Sequence, residues 1–152
     1  MTVPVESPLT PMALLTAVEL VLVSDVPLPA GSEALPIAPR RWLWLNADAN
    51  EIEIVTASGA VVVDVDGKWT AFTCSGAAAR RAFATAIEVG TVLEPRGCAS
   101  VAIFDCPAVL ARKGQEGFIV CVQSSYAASF EAAYAVAAGA APAGSSGAST
   151  RP

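Results

Sequence analysis

Between residues 99 and 123, three strand-length apolar runs follow one another with only a few turn residues between them, and no other feature constrains the fold as tightly. The runs cover residues 99–104, 108–112 and 118–123, separated by Asp105-Cys106-Pro107 and by Lys113-Gly114-Gln115-Glu116-Gly117. Connections this short cannot hold the crossover that parallel strands require, so the stretch predicts an antiparallel three-stranded meander.

The same reasoning extends to both sides. Asp66-Gly67 is the strongest hairpin signal in the chain; it joins an apolar run over residues 60–65, predicted to be a strand buried on both faces, to an alternating strand over residues 68–74. Residues 51–55 (EIEIV) alternate polar and apolar, as a strand with one wet face does, and residues 41–45 (RWLWL) form an aromatic strand that ends at Asn46-Ala47-Asp48. Val18, Val21 and Val23 favour a strand over residues 18–24, with a helical turn over 12–17 ahead of it and a loop behind it as far as Pro39. Ser75 is a natural N-cap for an alanine-rich helix over residues 77–88, and Ser124 or Ser125 for a second over 126–138. The order β-β-β-β-helix-β-β-β-helix predicts one α+β domain with a mostly antiparallel sheet and two main helices. Its expected limits are residues 18–138, with an irregular, proline-containing arm over 1–17 and a disordered Gly/Ala/Ser/Pro tail over 139–152.

Composition narrows the function. Only 15% of residues are charged against 54% hydrophobic, whereas an average soluble domain has roughly 25% charged residues, so some apolar surface is expected to meet a partner. The net charge of −5 opposes binding to nucleic acid or to anionic lipid. No apolar run reaches the roughly 20 residues of a membrane helix, and the N-terminal stretch has no leader pattern; a cytoplasmic location is expected.

The chain has no histidine, which removes Ser-His-Asp and Cys-His catalysis and the commonest metal ligand. Cys74, Cys98, Cys106 and Cys121 show no Cys-x-x-Cys spacing and read as small buried hydrophobes; Cys98 or Cys106 as a nucleophile would lack an activating base. Asp64 and Asp66 fall on one strand face, where two carboxylates can share a proton or a cation, although such residues more often end a strand. Trp42 and Trp44 also share a face, as a stacking platform, core or docking surface, and they are the expected docking surface for a partner. Ser75-Gly76 could offer amides to an anion, and Arg80-Arg81 reads as a solvated helix face. None of these forms a catalytic, cofactor or metal motif, so no catalytic, cofactor-binding or metal residue is assigned.

The segments VVDVDGKWTAFTCSGAAARRAFA (62–84), RGCASVAIFDCPAVLAR (96–112) and VCVQSSYAASFEAA (120–133) resemble, in order and spacing, the gamma subunit of heterotetrameric sarcosine oxidase. That family is similar to the folate-binding domain of the glycine cleavage aminomethyltransferase, and the resemblance implies that fold. It also implies that catalysis lies elsewhere: FAD, FMN, NAD and tetrahydrofolate on the larger alpha and beta subunits, zinc on the delta subunit, and no cofactor on this chain. Between Leu45 and Val61 the family carries a strand pair and a helix; the shorter LNADANEIEIVTASGA here predicts that the helix is missing. The alternative reading is a stand-alone tetrahydrofolate-binding one-carbon module using Asp64 and Trp69.

Overall fold

The computed structural model describes residues 9–13, 16–21, 33–89, 93 and 97–139. Every residue from Phe118 to Val122 is apolar, so β9 (Gly117–Gln123) can be buried on both faces and takes the centre of a sheet. Its neighbours are β8 (Cys106–Lys113) and β6 (Trp69–Ser75), with β7 (Cys98–Ile103) and β1 (Thr10–Met12) at the two edges. All pairings are antiparallel, and β7, β8 and β9 form the expected meander. Its first turn is tight because Phe104 and Asp105 both adopt left-handed conformations, with φ of 53° and 61°. In the second turn a Cβ on Gly117 would run into the carbonyl of Lys113, so the close approach requires glycine.

The second sheet has the order β3 (Glu33–Ala38), β4 (Arg41–Leu45), β2 (Ala17–Val21), β5 (Val61–Asp64), again antiparallel throughout. Strand alternation sorts the side chains into three cores. On one face of the five-stranded sheet, Phe72, Leu110, Phe118 and Val120 meet Ala82 and Phe83 of α2 (Gly76–Ala84) and Phe130 and Tyr134 of α3 (Ala127–Ala137). On its other face, Ala71, Val109, Ile119 and Cys121 meet Ala17, Leu35, Leu43 and Leu45 of the second sheet. The outer face of that second sheet, with Val18, Leu20 and Trp44, is covered by Val55 and Ile52 of α1 (Ala49–Ala57). The layers therefore run helices, five-stranded sheet, four-stranded sheet, helix. The molecule is α+β with antiparallel sheets, as expected, but among the described residues it has two sheets and three α-helices.

Several expectations need correction. Residues 51–55 are helical: Asp48 accepts the Asn50 N–H at 2.8 Å, Glu51 reaches back to the Asp48 N–H at 3.2 Å, and this capping box starts α1. Ile52 and Val55 then face the sheet while Ile54 is exposed, a helical spacing inside an alternating sequence. The helix thought to be missing between Leu45 and Val61 is thus present. Residues 60–65 are not buried on both faces, because β5 is an edge strand and exposes Val61 and Val63.

The Asp66-Gly67 turn exists, with Gly67 at φ 77°, yet β5 and β6 do not pair. Asp66 Oδ1 takes the Ala17 N–H at 2.7 Å and Val65 donates to the Ala17 carbonyl at 2.9 Å, which extends pairing with β2 before the chain crosses to the other sheet. The helical turn expected over residues 12–17 is excluded at both ends, where Met12 and Ala17 are in strands. Part of the loop expected before Pro39 is β3. The rest of that loop, residues 25–32, lies outside the described residues, as do residues 22–24 of the expected strand, residues 1–8, 14 and 15 of the arm, and the tail from residue 140.

Candidate binding site

The crossover at Asp66-Gly67 delivers Lys68 and Trp69 to a position between the sheets. Ser124 fixes that crossover: its hydroxyl donates to the Gly67 carbonyl at 2.8 Å and bonds Thr70 Oγ1 at 2.9 Å, and its N–H donates to the Lys68 carbonyl at 2.8 Å. Ser124, one of the two hydroxyls expected to cap a helix, therefore braces the turn, and α3 begins without a side-chain cap.

Opposite Lys68 stands Glu19, the one buried charged residue among those described. It lies on β2 in register with Leu43 and Val63, on the face turned toward the other sheet. A buried carboxylate needs partners. Arg41 Nη2 bonds Glu19 Oε2 at 2.9 Å and Lys68 Nζ bonds Oε1 at 3.0 Å, with Glu19 10% exposed and the two cations 51% and 48% exposed. Burial pushes the Glu19 carboxyl up, but the Lys68 ammonium and the Arg41 guanidinium outweigh it and hold the group below its ordinary value of 4.5. The Trp69 indole N–H assists from nearby, although the buried Nε1 completes no hydrogen bond. The Lys68 ammonium also sits 5.9 Å from the Trp69 ring centroid, within cation–π range.

Trp69 is in addition one wall of a cavity of about 410 Å³, lined with Ile37, Ser100, Asp105, Pro107 and Val109 among others. That volume falls in the range of small-molecule sites, and the lining is mainly apolar. The Ser100 hydroxyl donates to the Ile37 carbonyl at 3.0 Å, which ties β7 to β3 beside the cavity and commits its only proton. The arrangement can hold a small apolar body against an indole ring. Cys98 does not line this cavity, and its thiol is pushed up to about 11 by burial, so it stays protonated at neutral pH. The Cys74 thiol is likewise pushed up to about 11 by burial, despite a hydrogen bond with Tyr134 that opposes the shift.

The residues singled out from sequence are dispersed. Asp64 accepts the Asp66 N–H at 2.9 Å, and Asp66 holds Ala17, so both carboxylates shape the turn and neither lines the Trp69 cavity. Trp44 is fully buried under α1, which removes it from any docking surface, while Trp42 on the same face is half-buried. All four cysteines are buried and unbridged. Ser75 does begin α2 but makes no side-chain cap bond, and Arg80 and Arg81 are exposed. Among the described residues, no group of three or more His, Cys, Asp or Glu is placed to hold a metal ion, and no helix is long and apolar enough to cross a membrane. Sequence reasoning missed Glu19, Arg41 and Lys68 as a unit. The available signal was a lone glutamate inside the apolar strand AVELV, a charge that burial obliges the fold to pair.

The sequence matches no protein-family model and no curated protein. The fold does have a counterpart. A chain of the heterotetrameric sarcosine oxidase from Corynebacterium sp. U-96, solved in complex with pyrrole 2-carboxylate, superposes with a TM-score of 0.72 at 13% identity. The match covers 88% of this chain and 84% of the other, so the two are of similar length. At that identity the likeness establishes the architecture, an α+β fold with two antiparallel sheets shared with a chain of that enzyme.

Proposed function

We propose that this chain is a non-catalytic, gamma-type subunit of a multi-subunit flavin-dependent oxidase or demethylase acting on sarcosine or another secondary amine, and that it stabilises the larger subunits. The observation that carries the reading is the fold likeness to a chain of heterotetrameric sarcosine oxidase over nearly the whole of both chains. The resemblance of residues 62–84, 96–112 and 120–133 to gamma subunits, and a sequence with no histidine, support it. In this reading the partners are alpha-, beta- and delta-type subunits in the cytoplasm. FAD, FMN, NAD, tetrahydrofolate and zinc belong to them, and this chain contributes no reacting group.

The test is to isolate the tagged chain from its native host and analyse the eluate by mass spectrometry and visible absorption. Large, flavin-coloured partners are expected. A colourless single chain that is stable alone would overturn the reading.

A second reading, a one-carbon module that binds tetrahydrofolate by itself, draws on the Trp69 cavity. Asp64, its other proposed contact, is engaged in the turn and absent from the cavity wall. Calorimetry with a folate at millimolar concentration separates the readings: the subunit reading expects no heat of binding, and saturable heat that Trp69→Ala abolishes would favour the module.

A further inference from the structure

Two sheets have four edges, and the fold protects three of them. At β1, a strand of only three residues, Pro11 removes a donor. At β3, Pro36 does the same, and a register shift between Pro36 and Ala38 disrupts the ladder. The β7 edge is tied to β3 by the Ser100 hydroxyl and by the Cys98 thiol, which reaches the Pro36 carbonyl at 3.6 Å. At β5 the sequence is Val61-Val62-Val63-Asp64, with no proline, no lysine and no bulge; among the described residues no strand pairs with its outer side, and Val61 and Val63 are 53% and 47% exposed.

The free backbone groups of β5 can be assigned. Val65 donates to the Ala17 carbonyl at 2.9 Å, and strand alternation then turns the polar groups of Val61 and Val63 toward β2 as well. Those of Val62 and Asp64 face the open edge. The short length of β5 and the charge of Asp64 blunt this edge, but Val61, Val62 and Val63 carry none of the prolines, bulges or side-chain ties found at the other three.

Charge specifies the occupant. The nearby cations, Arg41 and Lys68, are both engaged by Glu19, whereas Asp64 on β5 and Glu53 on the adjoining α1 are exposed. A second copy brings the same net charge of −5, and a basic strand does not. We infer that β5 accepts an extended segment of another chain by strand addition, a segment in which apolar residues alternate with lysine or arginine. This rests on the subunit reading for the identity of the partner, but its chemistry can be tested separately.

The full-length chain, labelled with nitrogen-15, is titrated with a synthetic hexapeptide alternating lysine and valine. The amides of Val62 and Asp64 should shift and exchange at least roughly tenfold more slowly, and added salt should weaken the effect. Val62→Pro should abolish the response and lower the melting transition only by the packing its half-buried side chain loses, since its N–H faces outward. Should Val62→Pro unfold the chain, Val63→Lys serves instead: it keeps the backbone, repels the peptide, and should also abolish the response. Unchanged amides at Val62 and Asp64, an equal response to a glutamate–valine peptide, or protection that grows with protein concentration alone would each overturn the inference. In the native host, Val62→Pro should lose the larger subunits that the wild-type chain retains. Retention by a folded Val62→Pro variant would overturn the edge assignment and leave the subunit reading intact. A wild-type chain that captures no larger subunit would sink that reading, and the peptide titration would still decide the chemistry of the edge.

Discussion

Among the described residues, the five-stranded sheet is covered on both faces, by α2 and α3 on one side and by the second sheet on the other, whereas the four-stranded sheet has one nine-residue helix on its outer face and an unpaired apolar edge. The first sheet is locked by aromatic contacts. Phe83 meets Phe118 edge-on at 5.3 Å and Tyr134 at 5.7 Å, and Phe130 meets Phe72 at 6.2 Å and Phe104 at 5.4 Å between ring centroids. The second sheet depends on lighter cover, a capping box, and a carboxylate that two cations must neutralise. Among the described residues, one half of the molecule completes its own core, and the other leaves Ile54, Val61 and Val63 exposed.

Substitutions on the two sides should differ accordingly. The largest effect is expected from Phe83→Ala, which empties the centre of the aromatic cluster and should cost about 3–5 kcal/mol in denaturant unfolding. A loss under about 1 kcal/mol would mean that the helix layer is not the stronger half. On the other sheet, Glu19→Gln should cost about 1–2 kcal/mol at pH 7, a value discounted because both cations are half exposed.

That second effect should depend on pH in a defined direction. The folded carboxyl titrates below its ordinary value of 4.5, so the ion cluster stabilises the fold above that pH, and the contribution is lost as pH falls through the folded value. Wild type and Glu19→Gln should therefore converge in melting temperature on acidification below about 4.5. A gap that persists there would assign the role of Glu19 to hydrogen bonding without charge.

Asp48→Ala removes one side of the capping box and should cost about 1 kcal/mol, and hydrogen exchange should show α1 opening before α2. The smallest change is expected from Val61→Lys, within about 0.5 kcal/mol, because the side chain is half in water already. A large loss there would show that the β5 edge is already covered in the isolated chain.

The well-covered half was also the more legible one in sequence. The meander, the β6–α2 junction at Ser75 and the C-terminal helix were readable because each strand pairs with its neighbour in the chain or feeds directly into a helix. The lighter half was misread at β3, α1 and the Asp66-Gly67 turn. Its strand order β3-β4-β2-β5 rests on distant partners, and a four-residue run such as β5 carries no record of them. In residues 51–55 the alternating pattern competed with the Asp48–Glu51 capping pair, and the cap prevailed because two hydrogen bonds fix the helix start where the alternation offered only a half-buried strand. The candidate site was less legible still. Trp69 stands out in the sequence as an aromatic, but Glu19, Arg41 and Lys68 lie 49 residues apart at the extreme and meet only because the crossover sets one sheet on the other.

The sequence alone determined that the chain is α+β with antiparallel strands, that its second half is a meander followed by a helix, and that no histidine chemistry is available. These follow from local spacing and residue type. Only the tertiary structure decided that β5 and β6 part company at Gly67, that Trp44 is core, that Glu19 is buried between two cations, and that no described strand pairs with the outer side of β5. Such outcomes depend on which distant strands are left to pair and which faces are left to cover, and those are properties of the assembled layers, absent from any window of the chain.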